Sequence, residues 1–143
     1  MSLLVLHSVS KSYGALKVTD NITLSVIKGE TLGILGPNGA GKTTLFNLIS
    51  GDVRVDAGRV EFKGNDMTSI PSHLRCRAGI GRSYQVPQPF SNMSVFENLV
   101  TAACFGGDET ESQAWKTAYR VLEQTGLLNY ANKPAGSLTL LNR

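Results

Sequence analysis

The residues with the clearest chemistry form a glycine-rich loop between Gly36 and Thr43. Its spacing, Gly-x4-Gly-Lys-Thr, is typical of loops that bind nucleotide phosphates. Glycines let the backbone turn tightly and approach phosphate oxygens, and successive N–H groups then point into one concavity. Lys42 would add a positive charge near the outer phosphates, and the Thr43 hydroxyl would ligate Mg²⁺. The predicted binding residues are Gly36, Pro37, Asn38, Gly39, Ala40, Gly41, Lys42, Thr43 and Thr44.

Phosphate binding by such a loop requires a strand before it and a helix after it. Thr31–Leu35 is a short apolar run that predicts a strand leading into the loop. Beyond the loop, Leu45, Leu48 and Ile49 fall on one face of a helix that Gly51 can end. The positive end of that helix would point at the bound phosphates.

The other strands are predicted from alternation and from short apolar runs. They cover Leu3–Val9, the alternating residues Ile22, Leu24 and Val26, then Arg59–Lys63 and Ile80–Tyr84. A turn is expected at Lys28-Gly29-Glu30, and Asn65–Arg77 is interpreted as a loop in which Pro71 can open a short helix. The first part of the chain is therefore expected to be strand-rich around one β-loop-α unit.

The second part of the chain predicts helices. Val86–Phe90 contains two prolines, which exclude a regular helix or a central strand. Ser94 and Glu97 have the spacing of a capping box, so a helix is expected to begin there and to break at Gly106-Gly107. Another helix is predicted over Ser112–Gln124. The pattern indicates an α/β fold with a helical attachment that begins near the two prolines.

The composition argues against several classes of function. Fourteen Lys and Arg against eleven Asp and Glu leave a net charge of +3, which is too small and scattered to indicate nucleic-acid binding. Cys76 and Cys104 lack Cys-x-x-Cys spacing and predict neither a zinc site nor a disulfide framework. Met1–His7 lacks the features of a signal peptide, and because no apolar run approaches ~18 residues, no membrane-spanning segment is expected.

Guanine nucleotide recognition is one alternative. Asn132-Lys133-Pro134-Ala135 briefly resembles Asn-Lys-x-Asp, the motif with which GTPases bind guanine. Ala135 stands where the guanine-binding carboxylate would be, and no predicted strand precedes the motif. We therefore interpret these residues as a loop.

The residues around the phosphate loop resemble those of ABC-transporter ATPases. Gly36–Thr44 is similar to that family's phosphate loop, and Lys11-Ser12-Tyr13-Gly14 to its aromatic loop. Gln85 matches the family's Q-loop glutamine. The resemblance implies that Tyr13 stacks on adenine and that Gln85 is a catalytic residue that meets Mg²⁺ and the attacking water. Gln85 and Thr43 are then the expected metal ligands, and the implied cofactors are ATP and Mg²⁺.

Four segments extend this resemblance to the ATPase subunits of branched-chain amino acid importers, and urea importers fit nearly as well. The segments are Thr44–Gly51, Gly79–Gln85, Pro89-Phe90 and Ser94–Leu99. The implied fold is α/β: a P-loop NTPase core with an antiparallel β subdomain and a helical subdomain, incomplete. Residues 1–85 would form the β subdomain and phosphate-loop core, and residues 86–143 the Q-loop and helical subdomain.

The last residues depart from the family pattern. Within the stretch Ser137–Asn142, Leu138–Asn142 aligns with the signature Leu-Ser-Gly-Gly-Gln, but Leu140 and Leu141 replace its glycines. We interpret this stretch either as a divergent signature or as a plain helix-entry loop. No apolar run ends in Asp-Glu, so the sequence lacks the Walker B aspartate and the catalytic glutamate, and the family's switch histidine is absent too. We expect the sequence to be the N-terminal part of a longer ATPase, and we expect these residues by themselves to bind ATP without hydrolysing it.

The implied function is the ATP-binding subunit of an ABC importer at the cytoplasmic face of the membrane. Two subunits would close head to tail around two MgATP, while Val86–Phe96 would contact the transmembrane permease subunits. A second possibility is a nucleotide-binding or interaction module without turnover. A third, an ABC-type ATPase of DNA repair or translation, is disfavoured because neither tandem domains nor zinc motifs are visible, and no nucleic-acid partner is expected. The binding protein and membrane subunits would choose the transported solute.

Overall fold

Four strands from the first half of the chain form one antiparallel sheet in the computed structural model, which describes residues 2–139. They are β1 (Ser2–Tyr13), β2 (Leu16–Ile27), β3 (Ala57–Phe62) and β4 (Asn65–Asp66), in the order β2-β1-β3-β4. Tyr13 pairs with Leu16, so β1 and β2 are joined by a two-residue turn at Gly14-Ala15, and Gly14 has a φ of 59°. Three residues of the sheet are fully buried: Leu6 and Val9 in β1, and Val60 in β3.

Two helices accompany this sheet in the unit Met1–Ala78. The first, α1 (Lys42–Ser50), follows the glycine-rich loop, buries Leu45 and Leu48, and ends at Gly51 with a φ of 84°. A left-handed residue at this position lets its N–H bond back to the carbonyl of Asn47, which is the role glycine fills best. The second, α2 (Ser72–Ala78), begins directly after Pro71. The predictions for both helices are confirmed.

Two predicted strands are wrong. Thr31–Leu35 and Ile80–Tyr84 are irregular, and the Leu35 side chain is 97% exposed. A strand exists only where a neighbour satisfies its backbone N–H and C=O groups, and no segment within residues 2–139 pairs with either stretch. Both stretches are therefore apolar in composition but do not form strands.

The second unit, Gly79–Arg143, is irregular up to residue 94 and mainly helical in the described residues after that. It contains α3 (Val95–Gly106), α4 (Glu111–Thr125) and two short 3₁₀ turns, Leu128–Tyr130 and Ala135–Ser137. Its core cluster consists of Val95, Leu122, Ala135 and Leu138, with partly buried apolar residues packed around it. None of the described helices is both long and apolar enough to cross a membrane.

The predicted capping box at the start of α3 is confirmed. Ser94 Oγ accepts a hydrogen bond from the Glu97 N–H at 3.1 Å, and the Ser94 N–H donates to the Glu97 carboxylate at 2.7 Å. These reciprocal bonds satisfy backbone N–H groups that a helix N-terminus otherwise leaves without partners. Since the charged carboxylate accepts hydrogen bonds from the backbone and hydroxyl of Ser94, the pKa of Glu97 is lowered.

This lowered pKa predicts how the stability of α3 depends on pH. Because the folded pKa lies below the unfolded one, the stabilisation is fully present above the ordinary glutamate pKa of about 4.3 and is lost as the pH falls through the lower folded value. We expect Glu97→Gln to reduce the difference in thermal midpoint between pH 6 and pH 3. Circular dichroism melts of both proteins at the two pH values measure it. An identical pH dependence in both would contradict a role for Glu97.

Candidate functional site

The glycine-rich loop turns sharply at two of its glycines. Gly39 and Gly41 both have a φ of 82°, in the left-handed region that residues with a side chain rarely adopt. Between them, the Ala40 N–H donates to the Pro37 carbonyl at 3.2 Å. This backbone path agrees with the tight turn that the spacing of the glycines predicted. It arranges the main-chain groups of the loop in a concave turn.

Gly41 also has no room for a side chain. A Cβ built on it would lie 2.7 Å from the Val18 carbonyl oxygen of β2, which is closer than real Cβ atoms come to other atoms. Gly41 is at the same time the N-cap of α1, and no side chain caps that helix. The first N–H groups of α1 therefore stay available to an anion, and the helix dipole favours one at this position.

The Lys42 side chain folds back over the loop. Its ammonium donates to the carbonyls of Gly36 and Pro37, each at 2.7 Å. The positive charge is thus held at the mouth of the turn, where an outer phosphate would be bound. Thr43 and Thr44 follow in the first turn of α1, with Thr43 exposed and Thr44 half-buried.

The donors for a divalent cation are sparse on this loop. Within residues 2–139 no cluster of three or more His, Cys, Asp or Glu could hold a metal ion by itself. A hydroxyl such as that of Thr43 can supply one ligand, which fits Mg²⁺ because this ion commonly keeps waters and takes further oxygens from phosphates. The residues present therefore fit a metal that arrives with a nucleotide.

Tyr13 and the phosphate loop are connected through strand β2. Tyr13 ends β1 opposite Leu16, and its side chain is 49% exposed. Two residues further along β2, Val18 lies against Gly41. The sheet thus brings the aromatic end of the hairpin and the glycine-rich loop to the same stretch of one strand, although they lie far apart in the sequence.

Gln85 belongs to the second unit, where it is exposed and lies in a bend. The strand predicted before it is absent, and the Arg82 guanidinium lies 4.6 Å from the centre of the Tyr84 ring. The segment Val86–Phe90 is irregular, as its prolines predicted. Its most exposed apolar side chains are Val86 at 63% and Phe90 at 61%.

The predictions for the last part of the chain are tested only up to Thr139. Asn132 lies in a turn, Lys133 in a bend and Pro134 in an isolated bridge to Ser94, and a 3₁₀ turn follows in which Ala135 is buried. The interpretation of the guanine-like motif as a loop is therefore confirmed. Of the candidate signature, Ser137, Leu138 and Thr139 are described, and Leu138 is buried. Residues 140–142 of that signature lie outside the described residues.

Comparison with known proteins decides the family. The family model described as ABC transporter matches residues 19–140. The chain belongs to the ABC transporter family of ATP-binding domains. Its fold is accordingly the α/β fold of that cassette, with an antiparallel sheet followed by helices, as the resemblance implied.

Curated relatives of this ABC domain differ in what they transport. A probable branched-chain amino acid transport ATP-binding protein LivG of Archaeoglobus fulgidus is 37% identical over 134 residues, with 86% of this chain and 52% of the relative covered. The lipopolysaccharide export system ATP-binding protein LptB of Haemophilus influenzae is 38% identical over 124 residues, with 87% and 52% covered. The chain thus spans about half the length of these relatives.

Solved structures agree on the fold. The crystal structure of a nucleotide-free ATP-binding cassette from an ABC transporter matches with a TM-score of 0.80 at 33% identity, covering 97% of this chain and 60% of the other. The structure of an ATP-binding cassette in its ADP conformation matches with a TM-score of 0.79, covering 97% and 59%.

Sequence reasoning missed two polar residues that hold this part of the ABC domain together. Arg75, in α2, is 2% exposed and donates to the carbonyls of Leu48 and Ile49 at the end of α1. Asp56, just before β3, binds residues near the end of β1. Neither stands in a recognisable motif, and the partners named here lie 26 or 27 residues from Arg75 and 44 or 45 residues from Asp56 in the sequence.

Proposed function

We propose that this chain binds MgATP through the loop Gly36–Thr44, as part of the motor subunit of an ABC importer. The observation that carries the proposal is the geometry of the loop. Two left-handed glycines, an uncapped helix N-terminus and the Lys42 ammonium converge on one concave turn. Each of these features favours anionic oxygens, and together they match the β- and γ-phosphates of a nucleotide.

Each site residue has a role in this proposal. Lys42 exchanges its bonds to the Gly36 and Pro37 carbonyls for bonds to phosphate oxygens, which are charge-assisted and therefore stronger. Tyr13 stacks on adenine, a contact of about 1–3 kcal/mol with little base selectivity. Thr43 would supply one protein ligand to Mg²⁺, which neutralises phosphate charge when it is bound, and the family resemblance implies that Gln85 is a ligand of the same ion.

Branched-chain amino acids are the transported solutes that we favour. The relative from Archaeoglobus fulgidus and a second LivG protein, from Methanocaldococcus jannaschii at 33% identity, support this choice. The segments Thr44–Gly51 and Gly79–Gln85 support it from the sequence. Lipopolysaccharide export proteins are as similar overall, and urea importers remain the alternative within the importers.

The same proposal names partners and a location. A second ATPase subunit would pair head to tail with this one, as the family resemblance implies. Val86–Phe96 would contact the permease subunits, and the exposed side chains of Val86 and Phe90 suit such a contact. These partners would place the protein at the cytoplasmic face of the membrane.

Turnover is not expected from these 143 residues. The sequence contains no strand-like apolar run that leads directly into Asp-Glu, so it lacks the family's catalytic glutamate, which polarises the attacking water. We therefore propose that these 143 residues bind ATP without hydrolysing it.

Isothermal titration calorimetry with ATP in the presence of Mg²⁺ tests the binding, and a malachite-green assay for phosphate tests the turnover. We expect saturable binding of one ATP per chain, weakened when EDTA removes the metal, and phosphate release at the level of the buffer. Absence of saturable binding would refute nucleotide binding. Phosphate release that depends on Lys42 would refute the non-hydrolytic part alone.

A further inference from the structure

Asp56 binds the end of strand β1 that carries Tyr13. The Asp56 carboxylate accepts the Ser12 N–H at 2.7 Å and the Lys11 ammonium at 2.6 Å. The Asp56 N–H in turn donates to the Ser10 carbonyl at 3.0 Å. One residue thus binds three consecutive positions that lead into Tyr13.

Lys11 connects Asp56 to the aromatic ring of Tyr13. Its side chain is only 16% exposed, and its ammonium lies 5.5 Å from the centre of the Tyr13 ring, which is the distance of a cation–π contact. The bonds from Lys11 and Ser12 also lower the pKa of Asp56, so the carboxylate stays charged at neutral pH. Asp56, Lys11 and Tyr13 therefore form one connected group.

The pairing of β1 with its neighbouring strands is irregular near this end. Its pairing with β2 is irregular between Val9 and Lys11 and again between Lys11 and Ser12. Its pairing with β3 is described only as far as the pair of Ser10 with Ala57. Within the described residues β1 pairs with β2 alone beyond Ser10, so the bonds of Asp56 to Lys11 and Ser12 add support next to Tyr13 where the pairing with β3 has ended.

We propose that Asp56 is a positioning residue for recognition of the nucleotide base, acting through Lys11 and the backbone of Ser12 on the ring of Tyr13. The inference rests on the proposed function, in which Tyr13 stacks on adenine. Asp56 does not contact the phosphate loop in this arrangement. It lowers the entropy that the Tyr13 ring loses when a base stacks on it.

Comparing ATP with inorganic tripolyphosphate separates base recognition from phosphate binding. Tripolyphosphate, titrated with Mg²⁺, engages only the phosphate loop. We expect Asp56→Ala to weaken ATP binding by about 5- to 10-fold, a part of what base stacking contributes, and to leave tripolyphosphate binding unchanged. Asp56→Asn, which keeps the shape but loses the charge, should give a smaller loss in the same direction.

Glu61→Ala is the matched control. Glu61 forms a surface ion pair with Arg59 in the same sheet, and none of its described contacts involves residues 10–13. This variant loses the same charge and should bind both ligands as the wild type does. Circular dichroism confirms that each variant is folded at the temperature of the titration.

A double-mutant cycle decides whether Asp56 acts through Tyr13. On a Tyr13→Ala background, Asp56→Ala should cause no further loss of ATP affinity. An equal loss on both backgrounds, or a parallel loss of tripolyphosphate affinity, would overturn the inference while leaving nucleotide binding intact. If the wild type bound neither ligand, the proposed function would fall, and this inference with it.

Discussion

Lys42→Ala is expected to weaken MgATP binding by about 30- to 300-fold, corresponding to ~2–3.5 kcal/mol for the loss of charge-assisted bonds to phosphate. The ammonium already lies at the mouth of the glycine turn, where it donates to the carbonyls of Gly36 and Pro37. It therefore reaches phosphate oxygens without a large rearrangement. Calorimetric titration of both proteins with ATP and Mg²⁺ measures the difference.

The stability of the chain should hardly respond to the same substitution. The two carbonyls that lose the Lys42 ammonium are on an exposed loop, where water can replace it. We expect the free energy of unfolding without nucleotide to change by less than about 1 kcal/mol. With saturating ATP, the thermal midpoint of the wild type should rise and that of the variant should stay nearly constant.

Lys17→Ala serves as the control for the loss of charge. Lys17 forms a surface ion pair with Asp20 on β2. Its replacement by alanine removes the same positive charge from the same unit as Lys42→Ala does. Its ATP affinity should stay within about 2-fold of the wild type, as expected for a screened surface charge. If both lysine variants lost affinity equally, the effect would be one of overall charge, and the proposed position of the phosphates would be wrong.

The loop and the helices were predictable because their determinants are local. The positions of Gly39 and Gly41 within one octapeptide require left-handed backbone, and the structure has it. Gly51 ends α1 and the pair Ser94 and Glu97 begins α3 through bonds that span three or four residues. Such signals are complete within a short window, so reading them needs no knowledge of the rest of the fold.

The wrong strands failed for the opposite reason. An apolar run such as Thr31–Leu35 has the composition of a buried strand, but strand geometry depends on a partner that the run itself does not specify. In β1, which was predicted correctly, Leu4 pairs with both Val26 and Phe62 and so has neighbours on both sides. Within residues 2–139 nothing pairs with 31–35, and apolar composition alone did not reveal this.

Asp56 and Arg75, which support the candidate site, were missed because they bind residues that are far away in the sequence. Asp56 and Lys11 are 45 residues apart, and Arg75 and Leu48 are 27 apart. An aspartate before a strand or an arginine in a mixed segment is usually a solvated side chain. Tyr13 and the phosphate loop carried a family resemblance, whereas these two residues became visible only through the pairing of strands and the packing of helices.

Arg75→Met is expected to be the most destabilising of these substitutions, costing about 3–5 kcal/mol of unfolding free energy. The guanidinium donates to four carbonyls, those of Leu48 at 2.7 Å, Ile49 at 2.9 Å, Ile70 at 2.7 Å and Thr68 at 3.1 Å. Burial lowers the pKa of Arg75, opposed by the charges of Asp52 and Asp66, and arginine remains protonated near neutral pH regardless. Methionine would fill similar volume but leave these carbonyls without their donor.

The location of those carbonyls makes Arg75 more than an ordinary buried cation. Leu48 and Ile49 belong to the last turn of α1, where a helix leaves carbonyls unsatisfied and where positive charge is favourable. Gly51 makes room for it, because a Cβ there would lie 2.7 Å from Arg75 Nε. The end of α1 opposite to the phosphate loop is thus fixed to α2 and to residues 68–70 by one side chain.

Urea unfolding monitored by circular dichroism measures the effect, with Arg77→Met as the matched control. Arg77 lies in the same helix α2 but is exposed, so its replacement should change stability by less than about 0.5 kcal/mol. Arg75→Lys should fall between the two, because an ammonium has three donors and cannot span four carbonyls as a planar guanidinium does. Equal stability of the two methionine variants would show that the buried network contributes nothing, and that α1 is held by the packing of Leu45 and Leu48 alone.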